Sequence, residues 1–121
     1  MSAYPVRLNA VTKITFYLLV GNYFIFGAGN LPDYSALNGG YVGGWPNSIG
    51  FHTINGAKYM HGVGASSYSS ATTTGDNITM IIDLRPFKKT VSFANNGLPL
   101  GIIIGGINLW KPEVYIFAGI F

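Results

Sequence analysis

Thr74–Gly101 reads TGDNITMIIDLRPFKKTVSFANNGLPLG, and this stretch decides the fold. In Asn77–Leu84, Ile78, Met80, Ile82 and Leu84 alternate with Asn77, Thr79, Ile81 and Asp83. A period of two places one apolar row on a buried face and predicts a β-strand. Val91 and Phe93 alternate with Thr90, Ser92 and Ala94, predicting a second strand over Thr90–Ala94. Asn96-Gly97 separates it from a third, Leu98–Ile104. Asn-Gly suits a type I′ turn, in which both central residues take positive φ and the turn follows the strand twist.

Working outward, the remaining chain repeats this grammar. Ile14–Val20 and Tyr23–Gly27 read as a strand pair around Gly21-Asn22. Ser48–His52 and Lys58–His61 read as short strands around Asn55-Gly56, a second hairpin signal. Leu31–Pro46 is loop, with a short strand near Tyr41-Val42, and Gly62–Thr74 and Gly105–Lys111 are loops. Glu113–Ile120 forms the last strand, and residues 1–12 form an edge strand or a loose segment before a domain spanning 13–121. No stretch carries a sustained helical stripe with caps. Many short strands with frequent turn residues predict an all-β antiparallel sandwich of two sheets.

The ordered residues also resemble the SPRY domain family. Gly75-Asp76, Ile81-Ile82-Asp83-Leu84, Val91-Ser92-Phe93, Asn96-Gly97 and Leu100-Gly101 are similar to the second half of such domains. Upstream, Ser48-Ile49-Gly50-Phe51-His52 and Gly56-Ala57-Lys58-Tyr59-Met60-His61-Gly62 resemble its Ser-Trp-Gly-Tyr and Gly-x-x-Tyr-His-x-Gly segments. The likeness runs from about Asn22 to Phe121 and implies a concanavalin-like jelly roll, shortened at its N-terminus. It also implies a non-enzymatic module that binds a peptide or partner domain through loops at one end. Tyr59 matches the family's ligand-contacting Tyr, and Phe121 falls near the position of its Trp. Ile49 stands where the family has Trp, and the turn Arg85–Lys89 is longer than usual.

Composition narrows the chemistry. The chain has 121 residues, of which 49% are hydrophobic and only 9% charged; an average soluble domain has roughly 25% charged residues. Seven basic and four acidic residues give a net charge of +3, too sparse for a nucleic-acid stripe. The basic cluster is Arg85, Lys88 and Lys89, in one turn. With no cysteine, disulfides, thiolate zinc sites and cysteine nucleophiles are excluded. His52 and His61 flank one hairpin without a third ligand, so no metal is expected. Asp33, Asp76, Asp83 and Glu113 are scattered, with no acid/base pair. The reading is therefore not an enzyme, with no cofactor.

Aromatic residues are the candidate contacts. Phe16, Phe24, Phe26, Phe51 and Phe93 are assigned to the core, while Tyr34, Tyr41, Trp45, Tyr59, Tyr68 and Trp110 fall in loops or at strand ends. An aromatic at a loop end offers large contact area with little entropy to lose. We select Tyr41, Trp45, Tyr59, Tyr68, Trp110 and Phe121 as partner-binding residues, and expect Leu31–Asn47, Gly62–Thr74 and Gly105–Lys111 to form one face with Tyr59. A lectin-like carbohydrate-binding module and a structural subunit of a larger assembly are the alternatives. The apolar run Ile14–Phe26 is shorter than the ~20 residues of a membrane helix, so no membrane span is expected. A cytoplasmic location is expected, with secretion the alternative if that run serves as a signal sequence. Glu113–Phe121 is apolar on both faces, which leads us to expect a face left for a partner or for self-association.

Overall fold

The structure is a computed structural model that describes residues 2–7, 9–18, 24–30, 42–44, 48–60, 63–69, 72–104 and 114–120. Its strands are β1 (Ser2–Pro5), β2 (Val11–Tyr17), β3 (Phe24–Gly29), β4 (Ser48–His52), β5 (Ala57–Met60), β6 (Val63–Ser67), β7 (Asn77–Asp83), β8 (Thr90–Asn95), β9 (Leu98–Ile104) and β10 (Tyr115–Ile120). Two antiparallel sheets result, in the orders β1-β10-β3-β4-β5-β6 and β2-β7-β8-β9. Among the described residues there is no helix, and none is long and apolar enough to cross a membrane. The all-β, two-sheet architecture read from the sequence is the one that forms.

The β7–β8–β9 meander is where pattern and structure agree most closely. Ile78, Met80 and Ile82 are fully buried while Thr79 and Ile81 on the other face are half-exposed. Val91 and Phe93 join them from β8, with Met80 opposite Phe93 and Ile82 opposite Val91. Asn96 and Gly97 have φ of 51° and 83°, the two positive values a type I′ turn requires. Pro99 lacks an N–H, and β9 can carry it because it lies at the sheet edge.

The inner faces of both sheets meet in one core. Phe51 stacks on Phe93 at a centroid distance of 4.9 Å, and Phe16 stacks on Phe26 at 3.9 Å. Ile49 and Ile116 fill the space from the six-stranded sheet. Burying each such side chain is worth roughly 1.5–3 kcal/mol, so this layer dominates stability.

The expected pairing of the two N-terminal strands across Gly21-Asn22 does not form. β2 pairs with β7, in register Ile14↔Met80 and Phe16↔Ile78, whereas β3 lies between β10 and β4. Burial explains the separation. β2 alternates between exposed and half-buried residues and suits an edge, whereas β3 is buried on both faces from Ile25 to Gly29 and needs neighbours on either side. A second correction concerns Gly62–Thr74, read as loop, which contains β6. This strand pairs Ser67 with Ala57 and Ser66 with Lys58. As an edge strand it needs no apolar alternation, so the pattern did not reveal it.

The last strand, β10, is interior to its sheet, between β1 and β3. Val114 and Ile116 enter the main core, while Phe117, 1% exposed, packs with Ile25 and Val42 on the outer face.

Candidate functional site

Strand register builds the outer face of the six-stranded sheet. Tyr59 on β5 sits opposite Gly50 on β4, Gly50 opposite Gly27 on β3, and Gly27 opposite Phe117 on β10. A glycine in this row, Gly50, leaves room for another backbone over the sheet. A Cβ at Gly50 would lie 2.2 Å from the Val42 carbonyl oxygen, so only glycine admits the segment Val42–Gly44. That segment is tied down by the Gly43 N–H, which donates to Ser48 Oγ at 2.8 Å.

The result is a small second cluster outside the main core. Ile25, Val42 and Phe117 are buried, with Tyr59 and Tyr115 partly buried against them. Tyr115 and Phe117 rings lie 6.3 Å apart, tilted by 53°. His52, 4% exposed, lies on the same face with its ring 6.0 Å from that of Tyr59. Burial pushes the His52 imidazole below its ordinary value, because the interior disfavours the charged form. The arrangement presents two half-exposed tyrosines on rigid strands, backed by apolar side chains. It can bury an incoming apolar or aromatic group.

The sequence-selected residues separate. Tyr59 occupies this face. Tyr68, just past β6, turns inward: its ring meets Phe51 and Phe93 edge-on at 5.8 and 6.1 Å. Its hydroxyl donates to the Gly101 carbonyl and accepts from the Phe93 N–H at 3.2 Å. Burial raises the Tyr68 phenol, partly offset by the Phe93 N–H. Tyr68 therefore fastens the β6 side of one sheet to β8 and β9 of the other. Tyr41, Trp45, Trp110 and Phe121 lie outside the described residues, as do Asp33, His61, Glu113 and most of the three loops expected to form one face. Sequence reading passed over Tyr115 and Val42. Tyr115 stood in the apolar last strand, where its outward position was legible, but nothing signalled the Val42 segment that completes the cluster.

The two described carboxylates serve the ends of β7. Asp76 accepts from the Thr73 N–H (2.9 Å), Asn95 Nδ2 (3.1 Å) and Asn96 Nδ2 (3.0 Å). These bonds, the Thr73 N–H first, hold it below the usual carboxylate range. Asp83 receives Arg85 Nε at 2.9 Å and Nη2 at 2.7 Å, and this pairing lowers it likewise. Each carboxylate is thus engaged by donors from a neighbouring turn. Among the described residues no group of three or more His, Asp or Glu could hold a metal ion. An apolar cleft of about 450 Å³ opens between β2 and the β3–β10 pair, lined by Phe16, Phe24, Phe26 and Ala118, with Tyr17 at its rim.

No family model and no curated protein matches the chain. Solved structures do. A human SPRY domain matches with a TM-score of 0.65 and 19% identity, covering 96% of this chain and 74% of its own. The SPRY domain of human HERC1 matches with a TM-score of 0.70 and 18% identity, covering 98% of this chain and 69% of its own. The chain thus has a SPRY-like fold, as its Gly-Asp, Asp-Leu and Asn-Gly spacing suggested.

Proposed function

We propose that the chain is a non-enzymatic protein-interaction module that binds a peptide or partner domain against the outer face around Tyr59. The observation carrying this reading is Tyr59 itself: half-exposed, fixed on β5, and backed by Ile25, Val42 and Phe117. A pre-positioned aromatic loses little entropy on binding and contributes large contact area. The SPRY-like fold supports the same class of function by analogy. Tyr115 is added to the contact set. Tyr41, Trp45, Trp110 and Phe121 stay in it as proposed contributors, and Tyr68 leaves it because its ring and hydroxyl are taken up inside the sandwich.

The test is affinity capture with mass spectrometry, run on the parent and on Tyr59→Ala. A partner recovered by the parent, lost with Tyr59→Ala and confirmed by direct titration, supports the proposal. The variant must keep the parent's β-rich circular dichroism. Saturable, sugar-specific binding on a glycan array, with no protein recovered, would replace this reading with the carbohydrate one.

A further inference from the structure

The β7–β8 hairpin ends in a tip that the binding reading does not use. Arg85-Pro86-Phe87-Lys88 forms a tight turn closed by the Lys88 N–H donating to the Arg85 carbonyl at 2.9 Å. Phe87, at its apex, is 73% exposed. Pro86, Lys88 and Lys89 around it are exposed too. The tip is built rather than loose. Asp83 holds Arg85 through two side-chain bonds, and the Arg85 guanidinium carbon sits 4.9 Å from the Phe87 ring centroid. Arg85 thus links the Asp83 carboxylate to the Phe87 ring.

Two features are at odds with a purely structural turn. A large apolar ring stands 73% exposed at the apex. Lys89 has φ of 51°, a left-handed conformation that favours glycine, yet the residue is a lysine. Such an outlier points to a side chain kept for its chemistry. The charge balance is one-sided as well. Of the two described carboxylates, Asp83 is taken by Arg85, and Asp76 lies at the opposite end of β7.

We propose that this tip is a docking point for an anionic lipid surface, with Phe87 entering the headgroup region and Lys88 and Lys89 meeting lipid phosphates or carboxylates. Convexity selects this occupant over an acidic peptide. A protruding ring with cations behind it fits a soft, negatively charged surface, into which an apolar tip can sink without a preformed pocket. Leu98 provides the internal comparison. It is 69% exposed on the neighbouring hairpin, but its neighbours Asn96, Gly97 and Pro99 carry no charge.

The test uses the full chain with vesicles of phosphatidylcholine alone, or of two parts phosphatidylcholine to one part phosphatidylserine. Cosedimentation is expected with the serine-containing vesicles only, weakening as salt rises. Lys88→Ala and Lys89→Ala should each weaken partitioning about fivefold, and Phe87→Ser about tenfold. The chain has no cysteine, so Phe87→Cys and Leu98→Cys can each carry one environment-sensitive dye. The dye at position 87 should report an apolar environment on binding, and the dye at 98 should not. Failure to bind serine-containing vesicles at low salt overturns the proposal. So does binding that Phe87→Ser and the lysine variants leave unchanged, a dye at 98 responding as strongly as one at 87, or saturable binding to an acidic peptide without vesicle binding. The outcome is independent of the Tyr59 face, which lies on the other sheet.

Discussion

The two hairpin turns of the four-stranded sheet are both tied to an aspartate, yet they are built on opposite logic. At the β8–β9 end, Asn96 and Gly97 are the residues the turn geometry asks for. Asp76 gathers N–H groups from the Thr73 turn and from Asn95 and Asn96. Asn77 N–H and Asn96 Oδ1 close the same end at 2.9 Å. Asp76, the Asn96 side chain and the Asn77 N–H there are all spent on conformation. At the β7–β8 end, Asp83 is spent on Arg85, Arg85 on an exposed Phe87, and a lysine occupies a left-handed position. One turn spends its polar groups on its own conformation, while the other leaves an aromatic ring and two lysines exposed.

The largest expected effect sharpens the first half of this contrast. Asp76→Ala removes the acceptor for three donors in two turns. We expect a loss of about 2 kcal/mol from hydrogen-bond magnitudes, read from the urea midpoint at unchanged slope. Asp83→Ala should cost less, because its partner Arg85 is solvent-exposed and water screens the pair. A loss at Asp83 equal to or above that at Asp76 would break the comparison.

Acid titration gives a smaller, graded version. Asp76 and Asp83 both have folded-state values held below the ordinary aspartate value, which is about 4. Their stabilising contributions are present above that value and lost as pH falls through the lower folded-state values. His52 differs in window. Its folded value is lowered by burial, so the neutral form is favoured and stability falls as pH drops below about 6.5. Asp76→Ala should flatten the decline below about pH 4 and leave the His52 segment intact. Flattening in the upper segment instead would assign the coupling to the wrong group.

How much of this was legible beforehand follows from what each residue answers to. The meander from Asn77 to Ile104 could be read because local alternation and Asn96-Gly97 encode it within a short window. The placement of β2 and β3 in different sheets could not, because it depends on which strand is buried on both faces. Neighbours far away in sequence settle that for Ile25–Gly29. β6 escaped since Ser66 and Ser67, on an edge, carry no period. At the candidate site, Tyr59 was legible through its Tyr-x-His-Gly setting. Tyr68 looked identical in kind, and only its contacts with Phe51, Phe93 and Gly101 separate the two. The basic turn was visible as composition, but the contact between Arg85 and Phe87 needed coordinates.

The smallest effect is the most diagnostic, because its sign differs between the two turns. Gly97 has φ of 83°, and a Cβ there would meet nothing within 4 Å. Gly97→Ala therefore tests backbone conformation alone and should destabilise by about 1 kcal/mol. Lys89 has φ of 51° without being glycine. Lys89→Gly relieves roughly 1–2 kcal/mol of left-handed strain but adds unfolded-state entropy of about 0.5–1 kcal/mol. The net expectation is a slight gain, about 0.5 kcal/mol, measured by urea unfolding beside the Gly97 variant. The same substitution removes a charge from the tip, so vesicle partitioning should fall while stability rises. That opposite movement marks a residue retained for its side chain rather than its backbone. If Lys89→Gly destabilises the domain as Gly97→Ala does, the lysine is holding the hairpin together, and the two turns are alike after all.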